Sequence, residues 1–193
     1  NTINQVAAER IRVEIGYLLA NPQGTYWLNL AWKDGILANF FKNATHESFI
    51  KLNAIDQASA LISQNWQQLG QELTNYIRET IKTSWLSLSK LACLVNPEPE
   101  IAEIELHKLT YSRAEIRGIT TALKTFSELK TANTSLRKQY FLFREMGILF
   151  PAVLVLALAN DIVAQGTFKE SMFIPYQPLI DRYLDKNDPV AHP

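Results

Sequence analysis

An all-α, multihelical fold is what this 193-residue sequence predicts, and three observations predict it. Apolar side chains recur every three or four residues over most of the chain, the period of a helix with one buried face. Only seven glycines punctuate it. The longest apolar run, Ile148 to Ala159, is too short for the roughly twenty residues of a bilayer span and carries Pro151, so it reads as a buried core helix and no membrane partner is expected. With 47% hydrophobic and 20% charged residues the composition is that of a folded globular chain, not a disordered one.

Taken in order, the first helix has Ala7, Ile11, Ile15, Leu18 and Leu19 on one side, and the Asn-Pro-Gln-Gly run at Asn21 ends it, because Pro22 disfavours helical backbone in the residue before it. A second helix runs from about Tyr26 to Gly35, with Trp27, Leu30 and Ala31 inward. A further start lies in the stretch after Asn43. Asp56 to Leu69 then reads as an amphipathic helix with Ala60, Leu61 and Trp66, and Gln71 to Val95 as a long one through Leu73, Ile77, Ile81, Trp85, Leu88 and Leu91.

Pro97 and Pro99 cannot both sit inside a helix, so a joint is expected at Asn96 to Pro99. It divides the chain into a helical region over 1–95 and a helical body over 96–193, eight to ten helices in all. The Glu98/Glu100 and Glu103/Glu105 pairs in and just after it read as a solvated acidic hinge rather than a metal site.

Ser112 followed three residues later by Glu115 is a capping box, in which each side chain satisfies an orphan amide at a helix start. In the helix that follows, Ile116, Ile119, Leu123 and Phe126 group on one side, and Arg113, Arg117 and Lys124 on another. The chain has no net charge, yet between Lys108 and Arg144 eight cations stand against Glu115 and Glu128 alone. The cations are Lys108, Arg113, Arg117, Lys124, Lys130, Arg137, Lys138 and Arg144. Such a patch draws polyanions by counterion release, and Tyr111, Tyr140 and Phe141 are near enough in sequence to offer stacking. An unpartnered, solvated helix face accounts for the same pattern.

Catalytic signatures are lacking. There is no Gly-x-Gly, no His-Glu-x-x-His and no Gly-x-Ser-x-Gly. His46, His107 and His192 are scattered, and with one cysteine no zinc site of familiar spacing can be assembled. Cys93 therefore reads as a small core residue, and the absence of any disulfide pair points to a reducing, cytoplasmic setting. No catalytic residue, metal ligand or cofactor is assigned to these residues.

The motif Val6 to Ile15, with Glu9, Arg10 and Glu14, resembles the one that opens the neck of class II tRNA nucleotidyltransferases, the CCA-adding enzymes, and of the bacterial poly(A) polymerases. The stretches from Tyr111, from Tyr140 and from Pro178 are similar to the helical body of the same family, the last to its cyanobacterial branch. Nothing specific is recognised between Asn43 and Pro99.

The resemblance implies a neck followed by a body, preceded in the parent by a catalytic head that would bind Mg2+ and CTP or ATP, so that this region alone is expected to be inactive. It implies that Glu9, Arg10 and Glu14 support the nucleotide pocket at the head–neck junction. It also implies tRNA, or an RNA 3′ end, as partner, with Arg113, Arg117 and Lys124 on phosphates and Lys130, Arg137, Lys138 and Arg144 as secondary contacts. Which nucleotides the parent adds, and its oligomeric state, are not fixed by it. The alternative is a helical protein-interaction scaffold whose groove is lined by Trp27, Trp32, Trp66 and Trp85.

Overall fold

The computed structural model describes residues 2–132 and 135–192. Its helices are α1 (Thr2–Ala20), α2 (Gly24–Lys33), α3 (His46–Asn65), α4 (Gln67–Thr74), α5 (Trp85–Ala92), α6 (Pro99–Lys108), α7 (Arg113–Thr125), α8 (Leu129–Ala132), α9 (Leu136–Met146), α10 (Phe150–Gln165) and α11 (Gln177–Leu184). A two-stranded antiparallel hairpin, β1 (Tyr76–Arg78) and β2 (Ile81–Ser84), is the only sheet among the described residues. The fold is all-α.

The expected core helix is α10, buried from Phe150 through Ala159. Pro151 occupies its first turn, where an amide would have no helical acceptor, and Gly166 closes it in left-handed backbone at φ 76°. Its principal neighbour is α3, whose Leu52, Ile55, Ala58 and Ile62 are buried, followed by α5. Each Leu or Ile removed from water here contributes on the order of 1.5–3 kcal/mol. Ser89, fully buried on α5, shares its one hydroxyl proton between Trp85 O at 3.1 Å and Ala152 O at 2.9 Å, which joins α5 to α10. By length and composition Leu136–Gln165 resembles a membrane-crossing segment, but Gly147 breaks it at φ 51° and protein covers most of its apolar surface.

Several expectations need correction. On α2 the buried face is Gly24, Thr25 and Leu28, whereas Trp27 and Leu30 are exposed. Thr25 Oγ1 donates to Asp56 at 2.8 Å, and the Trp32 ring packs on Phe49 with its Nε1 donating to Ala44 O. These polar anchors turn the helix away from its most hydrophobic arc. The start expected after Asn43 is that of α3 at His46, where the Thr45 amide finds the Ser48 hydroxyl at 3.1 Å, and the helix expected to begin at Asp56 is its continuation to Asn65. Ala60 is exposed on it, as is Ala7 on α1.

The stretch from Gln71 to Val95 is two helices separated by the hairpin. Ile77, Thr80, Ile81 and Thr83 are β-branched, which favours extended backbone. The four-residue apolar spacing that suggested a helix is also an even number, which strands share. Ser84 then restarts the helix by accepting from the Ser87 amide at 3.1 Å.

The connection at Asn96 is where it was expected, with Pro99 in the first turn of α6. Glu105 Oε2 accepts from the Asn96 amide at 2.8 Å and its Oε1 from Asn43 Nδ2, so one of the four acidic residues is committed to the joint. Helix α11 closes the fold: Tyr183 donates to Glu72 Oε2 on α4 at 2.6 Å, and its ring stacks on Phe150 at 4.6 Å. Burial pushes that phenol well above its usual range, as does its bond to Glu72.

Candidate nucleic-acid interface

The capping box forms as predicted. Ser112 Oγ accepts from the Glu115 amide at 3.3 Å, and Glu115 Oε2 accepts from the Ser112 amide at 2.8 Å. Ser112 Oγ also donates to Glu115 Oε2 at 2.7 Å, and Thr83 of β2 adds a third contact to the same carboxylate, at 2.5 Å on Oε1, which fixes the start of α7 against the hairpin. Ile116, Ile119, Ala122 and Thr125 face the core. Gly118 lets α7 approach α5, since a Cβ there would lie 2.5 Å from Leu88 Cδ1. With the inner side fixed in this way, Arg113, Arg117 and Lys124 are left exposed. None of the three has an acidic partner within ion-pair distance among the described residues.

Helix α9 packs beside α7, burying Leu142, Phe143 and Met146 and exposing Arg137, Lys138 and Arg144. The Arg137 guanidinium sits 5.9 Å from the centre of the Phe141 ring, which is half exposed and meets Tyr140 edge-on. A flat apolar face with a cation beside it suits a stacked base. Arg144 has no ion-pair partner among the described residues, Glu145 included. Of the three aromatics offered for stacking, Tyr111 is buried and cannot present its ring to a surface ligand.

Lys130 is placed differently. Its ammonium is ion-paired with Asp161 on α10, whose other oxygen accepts from the buried Tyr176 hydroxyl at 2.6 Å. Burial drives the Tyr176 phenol upward, and the Asp161 carboxylate adds to the effect. This cation is partly neutralised before any ligand arrives.

On α1, Glu9, Arg10 and Glu14 are exposed and form no ion pair among the described residues. The engaged residue is Arg12, which sequence reasoning passed over: its Nη1 donates to Thr110 O at 3.0 Å. Thr110 is the one non-glycine residue with positive φ, 60°, among those described, in the turn just before α7. Arg12 thus ties α1 to the base of the cationic helix, a contact between residues 98 apart that no local pattern announces. Cys93 is buried, and burial pushes its thiol up to about 12, so it is not a nucleophile near neutral pH.

The family model described as "Probable RNA and SrmB- binding site of polymerase A" matches residues 1–47, which cover α1, α2 and the first residues of α3. A CC-adding tRNA nucleotidyltransferase of Synechocystis sp. is 35% identical over 193 residues, a match that takes in 99% of this chain. Both findings support kinship with the tRNA nucleotidyltransferase and poly(A) polymerase family. The chain spans 44% of the length of the Synechocystis relative. No solved structure matches it. The family model ends inside α3, so the cationic faces of α7 and α9 lie outside the residues that it matches.

Proposed function

We propose that this chain is the RNA-holding region of a nucleotide-adding enzyme, and that its ligand is a tRNA gripped along the phosphate backbone so that the 3′ end reaches a catalytic centre elsewhere in the parent. The observation that carries this reading is the face of α7 on which Arg113, Arg117 and Lys124 stand exposed and without acidic partners. From Arg113 to Lys124 the helix rises about 16 Å, long enough to meet several phosphates of one strand. Kinship with a CC-adding tRNA nucleotidyltransferase supports tRNA as the polyanion. Arg137, Lys138 and Arg144 extend the contact along α9, and Lys130, held by Asp161, contributes less. Contacts of this kind read backbone shape and charge rather than sequence.

Nucleotide transfer, with its Mg2+ and its CTP or ATP, belongs in this reading to parts of the parent outside these residues, and Glu9, Arg10 and Glu14 are positioned by their exposure to meet such a part. The scaffold alternative finds less support: Trp85 is buried, Trp32 packs on Phe49, and Trp66 meets Phe173 edge-on at 4.9 Å, which leaves Trp27 as the exposed member of the four.

The test is to replace Arg113, Arg117 and Lys124 together by Gln and to measure tRNA affinity across a salt series. Affinity should fall, and the slope of log K against log salt should become shallower by about two to three. Unchanged affinity together with an unchanged slope would overturn the assignment.

A further inference from the structure

The turn between α6 and α7 carries strain that its own residues do not relieve. The Thr110 amide donates back to His107 O at 3.0 Å and the Tyr111 amide to Leu106 O at 3.1 Å, the pair of bonds by which a left-handed residue closes a helix. Glycine usually takes that position, because a side chain crowds left-handed backbone, yet here it is held by Thr110, a β-branched residue at φ 60°. The Thr110 and Tyr111 hydroxyls are both buried without a hydrogen-bond partner among the described residues. A conformation of this kind persists only where the surrounding structure holds it.

The hold comes from the other end of the chain. Arg12, half-buried on α1, donates from Nη1 to Thr110 O at 3.0 Å, a charge-assisted bond from a separate helix onto the strained residue itself. Two residues on, Ser112 caps α7 through Glu115, which Thr83 of the hairpin also holds. Arg113, exposed, is the first residue of α7 and follows directly on this cap. If the turn relaxes, the first turn of the helix loses its cap and Arg113 loses its fixed direction. Lys124, about 16 Å further along α7, keeps its own.

We infer that Arg12 is a positioning residue for RNA binding, which touches no ligand but holds the strained turn at Thr110 and thereby aims Arg113. The inference rests on the RNA reading of the α7 face. It adds that α1, inside the residues that the family model matches, is energetically coupled to a cation outside them. A displacement of α1 therefore loosens the grip at Arg113.

The experiment is a double-mutant cycle on the 193-residue chain. Affinity for tRNA is measured over a salt series for Arg12→Met, Arg113→Gln, Lys124→Gln, the two pairs that include Arg12→Met, and the Arg113/Arg117/Lys124 triple variant. Arg12→Met should weaken binding about threefold to tenfold, have no further effect once Arg113 is Gln, and add its full effect in the Lys124→Gln background. Thr110→Gly, which adopts left-handed backbone without strain, should restore most of the affinity lost in Arg12→Met. Without RNA, hydrogen exchange should show less protection in Arg12→Met at the Tyr111 and Glu115 amides, and unchanged protection at Phe126, whose amide bonds to Ala122 O at the far end of the helix. An Arg12 that met a phosphate itself would instead lower affinity, and make the salt slope shallower by about one, in the Arg113→Gln background as well. That result, or equal coupling of Arg12 to Arg113 and to Lys124, would overturn the inference. Undiminished binding in the triple variant would overturn the RNA reading and this inference with it; diminished binding there, beside an unaffected Arg12→Met, would overturn this inference alone.

Discussion

Asp56 and Lys90 face one another at 2.6 Å across α3 and α5, the carboxylate 36% exposed and the ammonium 3%. The ammonium also reaches Leu19 O at 3.4 Å, so three helices meet on one charge. Removing either partner of a buried pair costs more than the pair itself contributes, but the burden is unequal here. Asp56→Ala leaves an ammonium without a counter-ion in the interior and should cost about 3–5 kcal/mol. Lys90→Met leaves a carboxylate that still has water and Thr25, and should cost clearly less. Urea unfolding of both variants checks the order; equal losses would mean that Lys90 is not held by charge.

Two lysines nominated from the same cationic stretch should behave oppositely. Lys130 joins α8 to Asp161 on α10, whereas Lys124 is exposed with no acidic partner among the described residues. Lys130→Met should lower stability by about 1–2 kcal/mol, since it leaves the largely buried Asp161 with Tyr176 alone, and should change tRNA affinity little. Lys124→Met should leave Tm within a degree or two and weaken tRNA binding. Thermal melts and filter binding on both variants decide it.

Backbone geometry gives a third contrast. A Cβ on Gly24 would lie 1.4 Å from Leu18 O, so Gly24→Ala must pull α2 away from α1 and should cost about 3 kcal/mol or more. Thr110 is the reverse case, a β-branched residue at φ 60° with its hydroxyl buried and unpaired. Thr110→Gly removes both defects and should raise Tm by about 2–4 °C. A fall in Tm would show that the threonine side chain stabilises the turn.

The C-terminal segment should loosen in acid. Burial alone would raise the Asp188 carboxyl, but the amides of Val190 and Ala191 at 2.8 and 3.1 Å, together with Arg182 at 2.7 Å, hold it below its ordinary value. A carboxyl depressed in the folded state binds protons more readily when unfolded. Its contribution is therefore present above the unfolded value, about pH 4, and is lost as pH falls through the lower folded value. Amide exchange protection at Val190 and Ala191 should drop in that window, and Asp188→Asn should remove the pH dependence.

How much of this was legible in the sequence depended on the reach of each interaction. The box at Ser112 and Glu115 spans three residues and forms as read, and the short apolar run of α10 with Pro151 at its start was legible as a core helix. The orientation of α2 was misread because Thr25 and Trp32 are anchored by Asp56 and Ala44, neither of them near in sequence. The hairpin was missed because an apolar step of four fits both periods, and only the density of Ile and Thr distinguished them. At the candidate site, the exposure of Arg113, Arg117 and Lys124 followed from helix geometry alone. The pairing of Lys130 with Asp161, 31 residues on, and of Arg12 with Thr110 did not, because each depends on how distant helices are placed.

The hydrogen bond from Tyr183 to Glu72 spans 111 residues and is made by the last helix of the fold. On a ribosome, α4 would leave the exit tunnel long before its partner exists, so the Glu72 end of that bond must wait in water until α11 has been synthesised. Locking of these helices therefore waits on α11, and growing chains interrupted before it should be trimmed by proteases that chains carrying it resist.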